Sequence, residues 1–147
     1  MKYTVEVDID LPVAQVIQLF DNTENMYKWM EGLQSFEALE GTPGEVGAKS
    51  KMLFKTGKRE IEMVETITVK NLPQEFSATY EAGSVWNLVE NHFEPKGENQ
   101  TRYISVQEFR FTGFMKLMGM LMPGAFKKQT LSHMNAFKSF AESQSKS

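Results

Sequence analysis

Apolar and polar residues alternate over residues 3–9, near the start of the chain, and this two-residue period is typical of a β-strand. The period then lengthens to three and four residues after Pro12, a residue that suits the first turn of a helix. Two short helices are therefore predicted, and Asn22 or Thr23 can cap the second. Their apolar faces comprise Val13, Val16, Ile17 and Phe20 in the first helix and Met26, Trp29 and Met30 in the second.

Alternation returns between residues 33 and 112, where five turn-forming segments separate apolar stretches at hairpin spacing. Such short turns make consecutive strands antiparallel neighbours, because parallel strands need long crossover connections. Six further strands are predicted, at residues 34–40, 48–55, 59–69, 75–81, 85–93 and 101–112. Together with the first strand they would form a seven-stranded antiparallel sheet.

The last part of the chain has a helical period again, and Pro123 divides it into two pieces. The first piece, residues 113–122, is rich in Met, and its predicted apolar face consists of Phe114, Leu117, Met118 and Leu121. The second piece is a helix over residues 123–142, with a stripe made of Phe126, Thr130, His133, Met134, Phe137 and Ala141. A sheet this long would curl, and the stripe offers the surface that covers its concave face.

The element order predicts an α+β fold. It would contain a seven-stranded curved antiparallel sheet, two short helices after the first strand, and a long C-terminal helix over the concave face. The 147 residues fit one domain, which is large enough to bury a core without disulfides or a metal. Residues 1–142 would form that domain, and residues 143–147, SQSKS, a disordered tail.

Charge is distributed unevenly along the chain. Residues 1–113 hold 11 Lys and Arg against 18 Asp and Glu, a balance of −7, whereas residues 114–147 hold 5 Lys against 1 Glu, a balance of +4. The basic segment could approach an anionic membrane, or it is the solvated face of a helix. Because the three Arg residues form no cluster, we expect no nucleic-acid partner. No stretch is long and apolar enough for a signal peptide or a membrane span, so the expected location is the cytoplasm.

Several kinds of chemistry are absent from the sequence. The chain has no Cys, which excludes disulfides, thiolate nucleophiles and Cys metal sites. Its two histidines, His92 and His133, lie on separate elements and give no metal signature. There is no Ser-His-Asp order, phosphate loop or dinucleotide fingerprint. We therefore predict no cofactor and no metal, and we assign no catalytic residue.

The element order and five local segments carry a family resemblance. The segments are YKWMEGL at 27–33, GEVGAK at 44–49, NLPQEF at 71–76, TRYISVQEFRFTGFMKLM at 101–118 and AFKSFAE at 136–142. Over about residues 3–142 the chain resembles the START-like, or SRPBCC, superfamily, whose helix-grip fold is shared with birch-pollen-type allergens. Within it, the chain is similar to small bacterial proteins labelled polyketide cyclase/dehydrase-like. This resemblance implies a deep pocket between sheet and long helix, used across the superfamily for lipids, sterols, polyketides and other apolar ligands.

The alternation of the strands identifies candidate pocket residues on the inward face of the sheet. Strand 85–93 is ambiguous, and we favour Asn87 and Asn91 as inward because burying Glu90 and His92 together costs more. Apolar walls with a few polar anchors are typical of a ligand site, although a single Phe or Met more often packs an ordinary core than contacts a ligand. The candidates are Met52, Phe54, Met63, Glu65, Tyr80, Asn87, Asn91, Tyr103, Gln107, Phe109, Met118, Phe126, Thr130, His133, Met134 and Phe137.

Glu65 is the most informative candidate, because it lies on an otherwise apolar strand face. If the side chain is buried, desolvation should raise its pKa, and it could anchor a ligand hydroxyl or act as an acid or base. A bulge around Val64 would instead turn it outward, or an internal hydrogen bond would satisfy it structurally. His133 is expected to be a core or rim histidine.

Three functions fit the sequence. We favour non-enzymatic binding or transport of a hydrophobic small molecule, such as a lipid or a polyketide-like compound, in the internal pocket. The first alternative is a cyclase or dehydratase type of enzyme in which Glu65 moves protons with Tyr103, Tyr80 or His133. The second is a membrane- or protein-interaction module that uses residues 113–122, which otherwise form a flexible lid at the pocket mouth. The expected partners are a hydrophobic small molecule and, in the second alternative, a membrane contacted peripherally; the chain would be a monomer or weak dimer.

Overall fold

A computed structural model describes residues 1–144 of the chain, and its main element is one seven-stranded sheet. The strands are β1 (Lys2–Ile9), β2 (Leu33–Glu40), β3 (Lys49–Thr56), β4 (Arg59–Asn71), β5 (Glu75–Ala82), β6 (Val85–Pro95) and β7 (Thr101–Phe111). All neighbouring pairs are antiparallel, and their order is β1-β7-β6-β5-β4-β3-β2. The curved sheet and the predicted α+β fold are confirmed.

Four helices accompany the sheet: α1 (Val13–Phe20), α2 (Thr23–Trp29), α3 (Phe114–Leu121) and α4 (Pro123–Gln144). Asn22 caps α2, as predicted, because its side chain accepts a hydrogen bond from the Asn25 N–H at 3.2 Å. Within residues 1–144, no helix is long and apolar enough to cross a membrane. Since α4 continues to Gln144, two residues of the predicted tail are helical, and the other three, 145–147, lie outside the described residues.

The register between strands shows which side chains share the inner face of the sheet. Asn91 on β6 is paired with Ser105 on β7, and Phe93 with Tyr103, and all four side chains are buried. Glu90 and His92, on the opposite face of β6, stay partly exposed. The preference for the Asn87 and Asn91 set as the inward face is therefore confirmed.

The core lies where α4 crosses the inner face of the sheet. Phe137 is 0% exposed, and its ring lies 5.0 Å from that of Trp29 on α2, 5.5 Å from that of Phe20 on α1 and 5.9 Å from that of Tyr103 on β7. The predicted stripe on α4 is confirmed, because Thr130, Met134, Phe137 and Ala141 are its buried residues. A single aromatic side chain thus joins α4, the first two helices and the sheet.

The predicted apolar face of α3 does not pack on the sheet. Phe114, Leu117 and Leu121 point to solvent, and the residue buried against the sheet is Gly119. The cause is a close approach of the helix backbone to Phe111, because a Cβ on Gly119 would lie 2.6 Å from the Phe111 ring. The helix is therefore turned so that its residue without a side chain, rather than its largest apolar residues, contacts the sheet.

The position of Phe137 makes a stability prediction. Phe137→Ala should lower the free energy of unfolding by about 3–5 kcal/mol, because it removes a fully packed ring from the junction of three layers. Phe114→Ala is the matched control and should leave stability almost unchanged, since Phe114 is 73% exposed. Chemical denaturation of both variants measures the difference, and equal losses would contradict the assignment of Phe137 to the core.

Candidate functional site

The polar pair at the centre of the candidate site consists of Glu65 on β4 and Tyr80 on β5. The two residues are directly opposite each other in the β4–β5 register. The Tyr80 hydroxyl donates a hydrogen bond to Glu65 Oε2 at 2.6 Å, and Glu65 is only 5% exposed. The bulge in this strand pair lies farther along, between Ile67 and Val69, so it does not turn Glu65 outward.

Burial controls the protonation of this pair. Desolvation raises the pKa of Glu65 above its ordinary value, and the Tyr80 hydrogen bond offsets only part of that rise. Burial and, after it, the negative charge of Glu65 raise the pKa of Tyr80 well above its usual range. Among the described residues, no Lys, Arg or His forms an ion pair with Glu65. Tyr80 therefore stays a hydrogen-bond donor, and Glu65 is the group of the pair that exchanges a proton.

A cavity of about 70 Å³ borders both side chains and lies between α2 and the inner face of the sheet. Its walls come from the end of α1, the connection to α2, α2 itself and strands β2, β4 and β5. The other lining residues are Phe20, Asp21, Asn22, Thr23, Met26, Trp29, Met30, Phe36, Gly44, Ile67 and Phe76. Three exposed polar residues, Asp21, Asn22 and Thr23, belong to the lining, and the rest is largely apolar with one buried carboxyl. Such a largely apolar wall with few polar groups is the pattern expected of a small-molecule site.

Trp29 adds a second polar group to the wall of this cavity. Its indole Nε1–H is buried and has no hydrogen-bond partner among residues 1–144. The Trp29 ring also packs on His133, with centroids 4.8 Å apart. Burial lowers the pKa of His133 to about 4, so this imidazole is neutral at neutral pH. His133 supports the wall of the cavity, as expected for a core histidine, and does not contact Glu65 in the structure.

The remaining polar candidates on β6 and β7 bond to one another. Asn87 donates to Gln107 Oε1 at 3.1 Å, and Gln107 in turn donates to Ser105 Oγ at 2.9 Å. The Tyr103 hydroxyl donates to Asn91 Oδ1 at 3.0 Å. These buried groups satisfy each other, which gives them a structural role in holding the two strands together.

The aromatic candidates near α3 belong to a different part of the molecule. The ring of Phe126 on α4 lies 5.1 Å from the rings of both Phe109 and Phe111. The latter two line an open groove of about 510 Å³ beneath α3, together with Met1, Arg110, Lys116, Gly119, Met120 and Pro123. Thr130 accepts or donates a hydrogen bond with Tyr3 at 2.7 Å beside this region.

The predicted pocket set is thus divided among three places. Glu65 and Tyr80 border the cavity, Phe109 borders the groove, and Met134, Phe137 and Tyr103 lie in the core. Met52 is buried opposite Met63 on the inner face, next to the partly buried Phe54, and Met118 is half-buried on α3. Sequence reasoning missed the contribution of α2 to the cavity. The signal was present, because the helical spacing of Met26, Trp29 and Met30 predicts an apolar face that packs against another element.

Both the sequence and the fold of the chain are similar to those of known proteins. A family model described as "Polyketide cyclase / dehydrase and lipid transport" matches residues 1–139. Among curated proteins, no sequence matches the chain. The resemblance to the START-like superfamily is confirmed by this match and by the solved structures that share the fold.

Three of those structures illustrate the likeness. The Zhui aromatase/cyclase from a Streptomyces species has a TM-score of 0.78 at 11% identity, over 97% of this chain and 93% of that one. A norcoclaurine synthase point mutant from Thalictrum flavum, in complex with a transition-state analogue, has a TM-score of 0.75 at 13% identity, over 99% and 96%. A protein from Thermus thermophilus has a TM-score of 0.75 at 16% identity, over 99% of both chains. At these identities the likeness concerns the fold alone.

The raised pKa of Glu65 predicts a pH-dependent gain from Glu65→Gln. An acid whose pKa is higher in the folded state than in the unfolded state stabilises folding least at high pH, where the buried group must ionise. Gln keeps the acceptor for Tyr80 but carries no charge. The free energy of unfolding of Glu65→Gln, relative to that of the native chain, should therefore rise with pH. The rise begins near 4.5, the ordinary pKa of a Glu side chain, and ends above the raised pKa of Glu65 in the folded protein. Denaturation at a series of pH values measures this difference.

Tyr80→Phe provides the matched comparison for this experiment. The substitution removes the hydrogen bond that favours the carboxylate, so the pKa of Glu65 should rise further. The pH window in which Glu65→Gln stabilises the protein should move upward in the Tyr80→Phe background. A difference between Glu65→Gln and the native chain that does not vary with pH would show that Glu65 is not desolvated.

Proposed function

Because the chain belongs to the polyketide cyclase/dehydrase and lipid transport family, we propose that it binds a small apolar molecule carrying a hydroxyl group. The ligand lies between α2 and the sheet, and its hydroxyl donates a hydrogen bond to Glu65. The observation that carries this proposal is a buried carboxylate on the largely apolar inner wall of a cavity, with Oε2 bonded to Tyr80 and no protein donor described at Oε1.

The apolar walls supply most of the binding energy but little discrimination between ligands. A ligand that buries about 400 Å² of apolar surface gains roughly 10 kcal/mol, and the costs of association, about 4–15 kcal/mol, offset most of it. A hydrogen bond to a charged group contributes about 1.5–3 kcal/mol. Glu65 therefore selects a ligand with a donor by roughly tenfold to hundredfold over the same molecule without one.

Binding requires the cavity to enlarge. Its volume of about 70 Å³ is smaller than the roughly 300–1,000 Å³ that accommodates larger ligands. Met26 and Met30 border it, and their unbranched side chains change rotamer at low cost. A ligand with one or two rings enters by displacing these methionines, and the free Trp29 N–H offers a donor to an acceptor atom at the other end.

Proton transfer by Glu65 is the second candidate function. It is supported by the 2.6 Å hydrogen bond between Tyr80 and a carboxyl whose pKa burial raises above its ordinary value. In this reaction the Glu65 carboxylate takes a proton from the carbon next to a ligand carbonyl. The Tyr80 hydroxyl, released from the now protonated Glu65, donates to the enolate oxygen that forms. Of the three partners considered from the sequence, Tyr80 is the one hydrogen-bonded to Glu65. Tyr103 donates to Asn91 instead, and His133 packs on Trp29.

Binding of 2-naphthol and of naphthalene tests the first function. The native chain should bind 2-naphthol roughly tenfold to hundredfold more tightly, because only the naphthol has a donor for Glu65. Glu65→Leu should lower the affinity for 2-naphthol to that for naphthalene and leave the affinity for naphthalene unchanged. Fluorescence titration measures both constants, with Glu62→Gln, on the exposed face of the same strand, as the control.

The outcome that contradicts ligand anchoring is equal affinity for the two compounds in the native chain. Native mass spectrometry of the protein as purified provides an independent check. A co-purifying molecule that carries a hydroxyl and is lost in Glu65→Leu supports the proposal.

Deuterium exchange into 2-tetralone tests the second function. With the native chain, exchange at the carbon next to the carbonyl should exceed the rate in buffer, whereas Glu65→Gln should abolish the excess. Tyr80→Phe should slow the catalysed exchange by roughly a hundredfold, since it removes the donor to the enolate. Exchange at the buffer rate, with 2-tetralone shown to bind, would restrict the site to binding.

A further inference from the structure

The outer surface of α3 is the largest apolar feature that the Glu65 cavity does not use. Phe114, Leu117, Met120, Leu121 and Met122 form this α3 apolar patch, and each is between 50% and 74% exposed. The opposite side of the helix is held against the sheet at Gly119, so the patch cannot turn inward without lifting the helix from Phe111. A soluble protein rarely exposes so many large apolar side chains in one place without a partner for them.

Three lysines accompany the patch. Lys116 lies on α3, and Lys127 and Lys128 lie at the start of α4, all three exposed. In the part of the chain that the structure describes, none of them forms an ion pair, whereas Lys138 farther along α4 is paired with Glu142. Residues 114–147 carry a balance of +4 against −7 for residues 1–113, so the net positive charge of the chain lies in the segment that holds the apolar patch.

We propose that the α3 apolar patch docks on the surface of an anionic lipid bilayer. Phe114, Leu121 and their neighbours enter the interfacial layer, and the three lysines contact the phosphate groups of the lipids. An eight-residue helix is about 12 Å long, less than half of the roughly 30 Å hydrocarbon core, so it lies along the interface. Docking needs no ligand at Glu65 and is independent of the function proposed above.

A second copy of the chain fits the patch less well than lipid does. A symmetric dimer would bring three unpaired lysines from each copy to the same interface, where like charges repel. The surface of one short helix is also far smaller than the roughly 800 Å² that each partner buries in a stable complex. An anionic bilayer supplies the opposite charge and accepts an apolar area of any size.

Flotation of the full chain with vesicles tests this proposal. The protein should float with vesicles of mixed phosphatidylglycerol and phosphatidylcholine and stay behind with vesicles of pure phosphatidylcholine. Added salt should release it, because screening weakens the attraction between lysines and phosphates. Equal binding to both kinds of vesicle, or none to either, would overturn the proposal.

Two pairs of double variants identify the surface. Phe114→Ser with Leu121→Ser should abolish flotation, whereas Leu39→Ser with Val46→Ser, which changes exposed apolar residues elsewhere, should not. Lys127→Ser with Lys128→Ser should weaken binding by about fivefold for each lysine removed. Its charge-matched control, Lys28→Ser with Lys49→Ser, should retain binding.

Loss of binding in the control variants to the same extent would overturn the proposal. Light scattering provides a second test. If the native chain forms a dimer without lipid, and Phe114→Ser with Leu121→Ser converts it to a monomer, the patch binds a second copy of the chain and the proposal is overturned. All substituted residues are exposed, so each variant should keep the thermal stability of the native chain.

Discussion

Phe137 joins every layer of the molecule, since its ring contacts one aromatic side chain from α1, one from α2 and one from the sheet. Because these rings meet edge to face, they fill the space between α4 and the middle of the sheet and leave little room for a guest there. The open space that remains lies to either side, beneath α2 and beneath α3. The packing of one residue thus determines where a ligand can be held.

The Glu65 cavity and the α3 groove differ in the environment of their charged groups. At Glu65 the carboxyl is removed from water and, within residues 1–144, is hydrogen-bonded by the side chain of Tyr80 alone, so its protonation is sensitive to what enters the cavity. Around α3 the cations remain in water and respond to charges at a distance. The Glu65 cavity suits a small molecule with one hydrogen-bond donor, whereas the region around α3 suits an extended charged surface.

Patterns local in sequence predicted most of the fold. Alternation located every strand, and the spacing from Phe126 to Ala141 identified the buried side of α4, because each face is determined by residues a few positions apart. The face of α3 could not be found in this way, since Gly119 contributes no hydrophobicity and its importance arises from Phe111. The candidate site was predicted only in part for a similar reason. Residues on the same face were treated as one site. In the structure a side-chain hydrogen bond joins Asn87 to Gln107, and the position of α2 leaves Glu65 and Tyr80 as the polar sheet residues that border the cavity.

The order of strands in the sheet affects how the chain can fold. Strands β2 to β7 are each paired with their neighbours in sequence, so hairpins can form them one after another. β1 pairs only with β7, with Lys2 opposite Glu108, and α4 packs on β1. On a ribosome, β1 therefore waits about a hundred residues for its partner, and such distant pairings fold slowly. During that interval the alternating apolar face of β1 is exposed, which makes the nascent chain prone to aggregation until β7 has been synthesised.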